Sequence, residues 1–174
     1  MIKMTQRLKN LSLIAATTED GGIGANNSLP WACPEDMKWF VKCTTGKNVV
    51  MGYKTLESLD FRPLPKRNNY LIKGRNSENF KGILEYDYPC MLQIIKSKQD
   101  EEFVIIGGAK TYELFMPHVS KAYITTIDNK CVFPDAEIDT YMPPLPEAFG
   151  LQGVLEAHNN SCIVRCYTEL TEKR

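Results

Sequence analysis

A chain of 174 residues that is 43% hydrophobic and 24% charged has the length of one domain and enough apolar residues for a core. Lys+Arg and Asp+Glu total 21 each, so no net charge draws it toward nucleic acid or a membrane surface. Six scattered cysteines (Cys33, Cys43, Cys90, Cys131, Cys162, Cys166) without a C-x-x-C pair, and only His118 and His158 beside them, argue against a metal site and for free thiols in a reducing compartment.

Residues 1–10 read as a polar N-terminal extension. Lys3, Arg7 and Lys9 ahead of an apolar run look like a signal peptide, but the run is short and charge returns at Glu19 and Asp20. No stretch approaches a membrane span, and the expectation is a cytoplasmic protein. Leu11 to Thr17 predicts a strand buried on both faces. The loop Glu19-Asp20-Gly21-Gly22-Ile23-Gly24 has the glycines of either a plain mobile loop or an active-site lid.

The stretch Asn27 to Phe40 organises the rest. Pro30 drives Leu29 out of helical geometry, and Pro34 suits the first position of a helix. Glu35 and Asp36 follow in the first turn, where the helix dipole favours acids. Helical spacing puts Asp36 and Phe40 on one face with Trp39 beside them. Asp36 is then either an acid placed for the dipole or a carboxylate walled by Trp31, Met37 and Phe40 that can grip an amidine-like group.

Beyond this stretch, residues 47–51 predict a strand and a helix follows from about Thr55 to Leu59. Arg62-Pro63-Leu64-Pro65-Lys66-Arg67 is a stiff basic connector, Tyr70 to Ile72 a short strand, and Gly74 to Ser77 a break. Strand-like residues recur near Ile83 and Leu84, with a helix from Cys90 to Lys98. Phe103 to Ile106 is the clearest core strand, followed by a helix from about Lys110 to Phe115 and a strand from Ala122 to Ile127. The prolines between Phe133 and Pro146 mark a long connection, and two closing strands flank Asn159-Asn160 as a hairpin. The fold class is α/β: a single domain over residues 11–174, with a mostly parallel sheet, an antiparallel C-terminal edge hairpin and flanking helices.

Two places share one design, in which a buried strand ends in glycine and a helix starts at once: Met51-Gly52-Tyr53-Lys54-Thr55 and Ile106-Gly107-Gly108-Ala109-Lys110. Free N–H groups and a close backbone approach there suit phosphates, and two such ends could hold a pyrophosphate. Neither is a full G-x-G-x-x-G, and tight turns that need glycine for packing remain the other reading.

Taken together, Leu29-Pro30-Trp31, Pro34, Asp36 and Trp39-Phe40 resemble the active-site segment of the dihydrofolate reductase family. The resemblance extends over about residues 11–170: Ile106-Gly107-Gly108 with Tyr112 is similar to its cofactor motif, where the paired glycines share a cis peptide. Met51-Gly52 with Thr55 resembles its second phosphate turn, Arg62-Pro63-Leu64-Pro65 with Arg67 its R-P-L-P-x-R segment, and Tyr123-Ile124-Thr125 the strand that supports the acid. The resemblance implies reduction of 7,8-dihydrofolate to tetrahydrofolate with NADPH, for one-carbon metabolism and thymidylate and purine synthesis, by a monomer acting on a small molecule.

It further implies that Asp36, supported by Thr125, holds the pterin's amino-pyrimidine edge at two points, with Trp31 ordering a water or capping the pocket. Phe40, Leu29, Leu59 and Leu64 would sandwich the rings, and Arg67 would fork onto the folate α-carboxylate. Ile14, Ala16, Ile106 and Tyr112 would shape the place where nicotinamide meets pterin. Ile23 and Gly24, then Gly52, Tyr53, Lys54 and Thr55, then Ile72, Lys73 and Arg75, and finally Gly107, Gly108, Ala109, Lys110 and Thr111 would contact the cofactor.

Three departures qualify the pattern. Tyr53 stands where a basic residue is usual, so Lys54 or Arg75 would serve the 2′-phosphate, and NADPH against NADH stays open. Ala109 replaces a common third glycine. The acid expected before a Phe-Pro pair is missing at Lys130-Cys131-Val132-Phe133-Pro134, which reads as a shortened loop, with Asp135 and Asp139 as substitutes under other alignments. The alternatives are a repurposed, non-catalytic folate or nucleotide binder of this fold and a riboflavin-pathway reductase, which needs neither Asp36 among aromatic rings nor the Arg67 fork.

Overall fold

The apolar run near the start of the chain becomes β1 (Leu8–Thr17), a strand in the middle of the sheet with Leu11 and Leu13 fully buried. The computed structural model describes residues 5–75 and 78–171; the first four residues of the predicted extension, and Asn76 and Ser77 of the predicted break, lie outside them. β1 starts at Leu8 rather than Leu11, because Leu8 pairs with Val119 although Lys9 and Asn10 interrupt the apolar pattern. Arg7 joins the fold as well, pairing with Glu169 at 3.3 Å and lying over the Phe149 ring.

The elements that follow are β2 (Gly22–Gly24), α1 (Pro34–Thr44), β3 (Asn48–Met51), α2 (Tyr53–Ser58), β4 (Asn68–Ile72), β5 (Ile83–Tyr86) and α3 (Tyr88–Ser97). After them come β6 (Phe103–Gly107), α4 (Ala109–Phe115), β7 (Val119–Ile127), β8 (Thr140–Tyr141), β9 (Phe149–His158) and β10 (Cys162–Glu169). Eight strands form one sheet in the order β5-β4-β3-β6-β1-β7-β10-β9. All neighbours from β5 to β7 run parallel, and only β10 runs against both of its neighbours. The expected mostly parallel sheet with an antiparallel C-terminal hairpin is therefore what forms. Asn160, at φ +59, turns that hairpin.

Period-two alternation along the strands separates two apolar layers. Leu11, Leu13, Phe103 and Ile105 face Met91 and Ile95 of α3 and Phe115 of α4. On the other face Ile14 and Val104 meet Trp39 of α1, while Val49 and Met51 meet Leu56 of α2. Parallel strands bring all their carboxyl ends to one edge, and β1, β3 and β6 deliver Thr17, Met51 and Gly107 there side by side.

Candidate active site

The candidate site at that edge starts from α1. Pro34 opens the helix, and burial falls on Asp36 and Trp39 as helical spacing requires. Asp36 is only 9% exposed, and burial pushes its carboxyl above the usual carboxylate range. The Thr125 hydroxyl lies close enough to draw it partly back, but that hydroxyl is fully buried and has no partner in hydrogen-bonding geometry. Register explains the meeting: Thr125 of β7 pairs with Ala16 of β1, beneath the acid's helix. A buried acid beside an unsatisfied hydroxyl is a site waiting for a polar ligand edge.

The walls differ in part from expectation. Ile14 and Phe40 share one apolar cluster with Ile106, and Leu59 and Leu64 share a second one with the same Ile106, so Ile106 links the two groups. Trp31 is buried against Cys33, Ile127 and Cys162, with Ala16 packed beside it. Met37 does not wall the acid, since it is 50% exposed: position i+1 on the helix points away from the sheet. Leu29 is also half exposed and joins neither wall.

Arg67 is held in place before any ligand arrives. Its Nε donates to Thr44 at 2.9 Å and its terminal nitrogens to the Pro65 carbonyl at 2.9 Å and to Thr45 at 3.4 Å, with the guanidinium 5.8 Å from the Phe40 ring centre. Partial burial lowers its pKa without threatening its charge. Three of five donors are used, which leaves two for a planar acceptor.

The two glycine turns lie against each other. The Gly52 N–H donates to the Gly107 carbonyl at 2.8 Å, and Gly107-Gly108 is joined by a cis peptide bond, as the resemblance implies. Gly52 and Gly108 cap α2 and α4 without any side-chain hydrogen bond, so the helix N–H groups stay available. A Cβ on Gly52 would come 2.5 Å from the Thr111 hydroxyl, and one on Gly107 would come 3.1 Å from that of Thr55. Glycine is thus what lets the two turns approach this closely, with the free N–H groups of both helix starts beside each other. Lys54, Ala109 and Lys110 lie at these helix starts, and Ile72, Lys73 and Arg75 lie at the carboxyl end of β4, next to β3. Tyr53 turns to Phe61 and Phe80, at 5.7 and 6.4 Å between ring centres. The Tyr112 hydroxyl donates to the Ile14 carbonyl at 2.7 Å, and burial, with the Asp36 charge adding to it, keeps this phenol protonated.

The glycine-rich loop is more ordered than a plain loop. Ala25 and Ser28 exchange two 3.0 Å backbone bonds around Asn26 and Asn27, both at positive φ, a tight hairpin that asparagine tolerates. Ile23 and Gly24 belong to β2, which pairs with β8. Asp139 accepts from the Asn26 N–H at 2.8 Å, and its own N–H donates to Gly24 at 3.0 Å. The Asn27 amide reaches Glu57 of α2 at 2.8 Å. Of the two substitutes for the acid missing before Phe133-Pro134, Asp139 is the one that reaches the loop, and the connection from β7 to β8 is long, as its prolines predict, rather than shortened.

That brace also yields a test. Hydrogen bonds from Asn26 and Thr140 hold the Asp139 carboxyl below its ordinary range, so the brace is complete above that range and is lost as pH falls through it. Asp139→Ala is expected to speed exchange of the Asn26 amide and lower kcat while leaving Tm nearly unchanged. Unaltered exchange at Asn26 would show that the acid does not hold the loop.

Comparison with known proteins gives one consistent result. The family described as "Dihydrofolate reductase" matches residues 10–164. A dihydrofolate reductase of Buchnera aphidicola subsp. Acyrthosiphon pisum is 36% identical over 156 residues, covering 87% of this chain and 96% of its own length. One from Neisseria meningitidis serogroup A is 40% identical over 118 residues, covering 68% and 72%. The solved dihydrofolate reductase of Enterococcus faecalis, complexed with NADP(H) and RAB-propyl, superposes with a TM-score of 0.78 at 23% identity over 95% of this chain and 99% of its own.

Proposed function

The chain belongs to the dihydrofolate reductase family, and from that premise we propose how its residues divide the reduction of 7,8-dihydrofolate to tetrahydrofolate. NADPH, when bound, supplies the hydride that reaches C6 of the pterin. The chain's own part is to bind, orient, exclude water and place a proton on N5.

Asp36 takes the pterin's amino-pyrimidine edge in a two-point hydrogen bond, and its negative charge favours the ring protonated at N5. The Thr125 hydroxyl then gains the partner it lacks. Ile14, Phe40 and Ile106 press on the ring faces, with Leu59 and Leu64 toward the aminobenzoyl end. Trp31, beside Ala16, closes the cleft against bulk water. Leu29, half exposed on the lid side, covers the substrate from outside. The Gly52 and Gly107-Gly108 turns seat the pyrophosphate, with Thr55 and Thr111 hydroxyls at their edges. Lys54, Lys73 and Arg75 are the cations available for a 2′-phosphate, the role Tyr53 cannot fill.

The proposed working form is a monomer acting on a small-molecule substrate. No helix of the described residues is long and apolar enough to cross a membrane. Six free cysteines suit a reducing cytoplasm.

The observation that carries this reading is the buried Asp36 beside the unsatisfied Thr125 hydroxyl. Loss of NADPH absorbance on adding dihydrofolate tests it, and absence of turnover by the folded protein would leave a binder of this fold instead. For the fork, Arg67→Leu is expected to raise the KM for dihydrofolate by about 10- to 100-fold, the worth of hydrogen bonds to a charged group. The KM for NADPH should hardly move. Equal rises in both constants would count against the fork.

A further inference from the structure

Besides its brace on Asp139, the hairpin of residues 25–28 has a second tie, to which the mechanism above gives no work. The Asn27 side-chain amide donates to the Glu57 carboxylate at 2.8 Å, between residues 30 apart in sequence. Sheet order shows what this contact spans. The hairpin follows β1 and β2, while Glu57 sits on α2, which follows β3. β1 and β3 are not neighbours: β6 runs between them, so they lie two strand spacings apart, about 10 Å. The hydrogen bond therefore joins the elements on either side of the β6 end, which carries Ile106 and the Gly107-Gly108 turn.

Both ends of the contact are free to make it. Asn27 stands at φ +57, a left-handed conformation that asparagine tolerates, inside a hairpin already closed by the two backbone bonds of Ala25 and Ser28. Glu57 has no ion-pair partner among the described residues, and the Asn27 amide is the side-chain donor its carboxylate meets there. Two residues beyond Glu57, Leu59 belongs to the proposed substrate wall.

We propose that Glu57 is a positioning residue, whose bond to Asn27 latches the hairpin across the site and must open before folate substrate or product leaves. The inference rests on the reductase reading for what the latch retains, and on the contact between α2 and the hairpin for the latch itself. Asn27→Asp sets two carboxylates face to face while keeping side-chain size and the tolerance for left-handed backbone. Adding Glu57→Gln exchanges donor and acceptor, so a side-chain amide again faces a carboxylate. Both positions are exposed, so neither substitution disturbs the core.

The test is amide hydrogen exchange at Ala25 and Ser28 in the ligand-free protein, beside stopped-flow release of folate from its complex with the protein and NADP⁺. Asn27→Asp is expected to speed both about three- to tenfold, the worth of a charge-assisted hydrogen bond discounted for exposure. The double variant should return both to within about twofold of the parent, as coupled partners do. Unchanged exchange in Asn27→Asp, or effects of the two substitutions that simply add, would overturn the latch. Faster exchange with unchanged release would overturn it too, because the contact would then order the hairpin without retaining a ligand. A parent protein that binds no folate would instead bring down the reductase reading and the gate with it, while exchange alone still shows whether Glu57 holds the hairpin.

Discussion

Asp36→Asn is expected to cost on the order of 10²–10⁴ in kcat/KM for dihydrofolate at pH 7, the range associated with losing a positioned proton-transfer group. The amide can still meet part of the pterin edge, so the loss belongs to the charge and not to shape. Without that charge, nothing buried in the cleft favours the ring protonated at N5, and the residual rate should climb as pH falls and solvent supplies the proton. Stability should move the other way. Burial raises the Asp36 pKa in the folded state above its unfolded value. The neutral form's advantage is then fully present below the unfolded pKa and is lost as pH rises through the folded one. At pH 7 the parent protein holds a buried charge that the amide does not, so Asp36→Asn should melt at a higher temperature, with the gap closing as the solution is acidified. An active site that trades stability for function behaves this way. Thermal melts at pH 7 and pH 4, beside pH–rate profiles, check both halves; a variant that lost activity and melted lower would mean Asp36 serves packing rather than chemistry.

The parts of this site that were legible in the sequence are those set by local chemistry. Pro34 with Asp36, Trp39 and Phe40 fixes a helix and its phase within a few residues, and the burial of Asp36 and Trp39 follows from it. Val49-Val50-Met51-Gly52 and Val104-Ile105-Ile106-Gly107 announce buried strands that stop at glycine, and each does. What stayed hidden depends on partners far along the chain. β2 is three residues long and exists because β8 pairs with it, and neither has a hydrophobic pattern of its own. Asp139 becomes a brace only when that pairing brings it to Asn26. Leu8 to Asn10 reads as polar tail until Val119 supplies its ladder. Met37 shows the opposite error, a large apolar side chain assigned to a wall on identity when its place on the helix sends it to solvent.

Gly52→Ala should weaken NADPH far more than dihydrofolate. At φ −89° and ψ 171° the backbone accepts alanine without strain, so the whole effect is steric. The new methyl would stand 2.5 Å from the hydroxyl oxygen of Thr111, which is 4% exposed in the first turn of α4. Relief takes a turn of the Thr111 side chain or a separation of the starts of α2 and α4, the two turns that Gly52 N–H and Gly107 carbonyl tie together at 2.8 Å. Overpacking of this kind costs about 1–3 kcal/mol of stability. A misplacement near 1 Å costs on the order of 10² in a ligand that must be held in register, so the KM for NADPH should rise about 10- to 100-fold. The methyl does not touch the dihydrofolate contacts of α1 and Arg67, and only Leu59 and Ile106 adjoin the displaced turns, so the KM for dihydrofolate should rise much less. Gly153→Ala is the control, since a Cβ there meets nothing within 4 Å and should leave both constants and Tm alone. If Gly52→Ala loses stability as expected but binds NADPH as tightly as the parent, the turn needs glycine for helix packing alone, and the pyrophosphate must sit elsewhere.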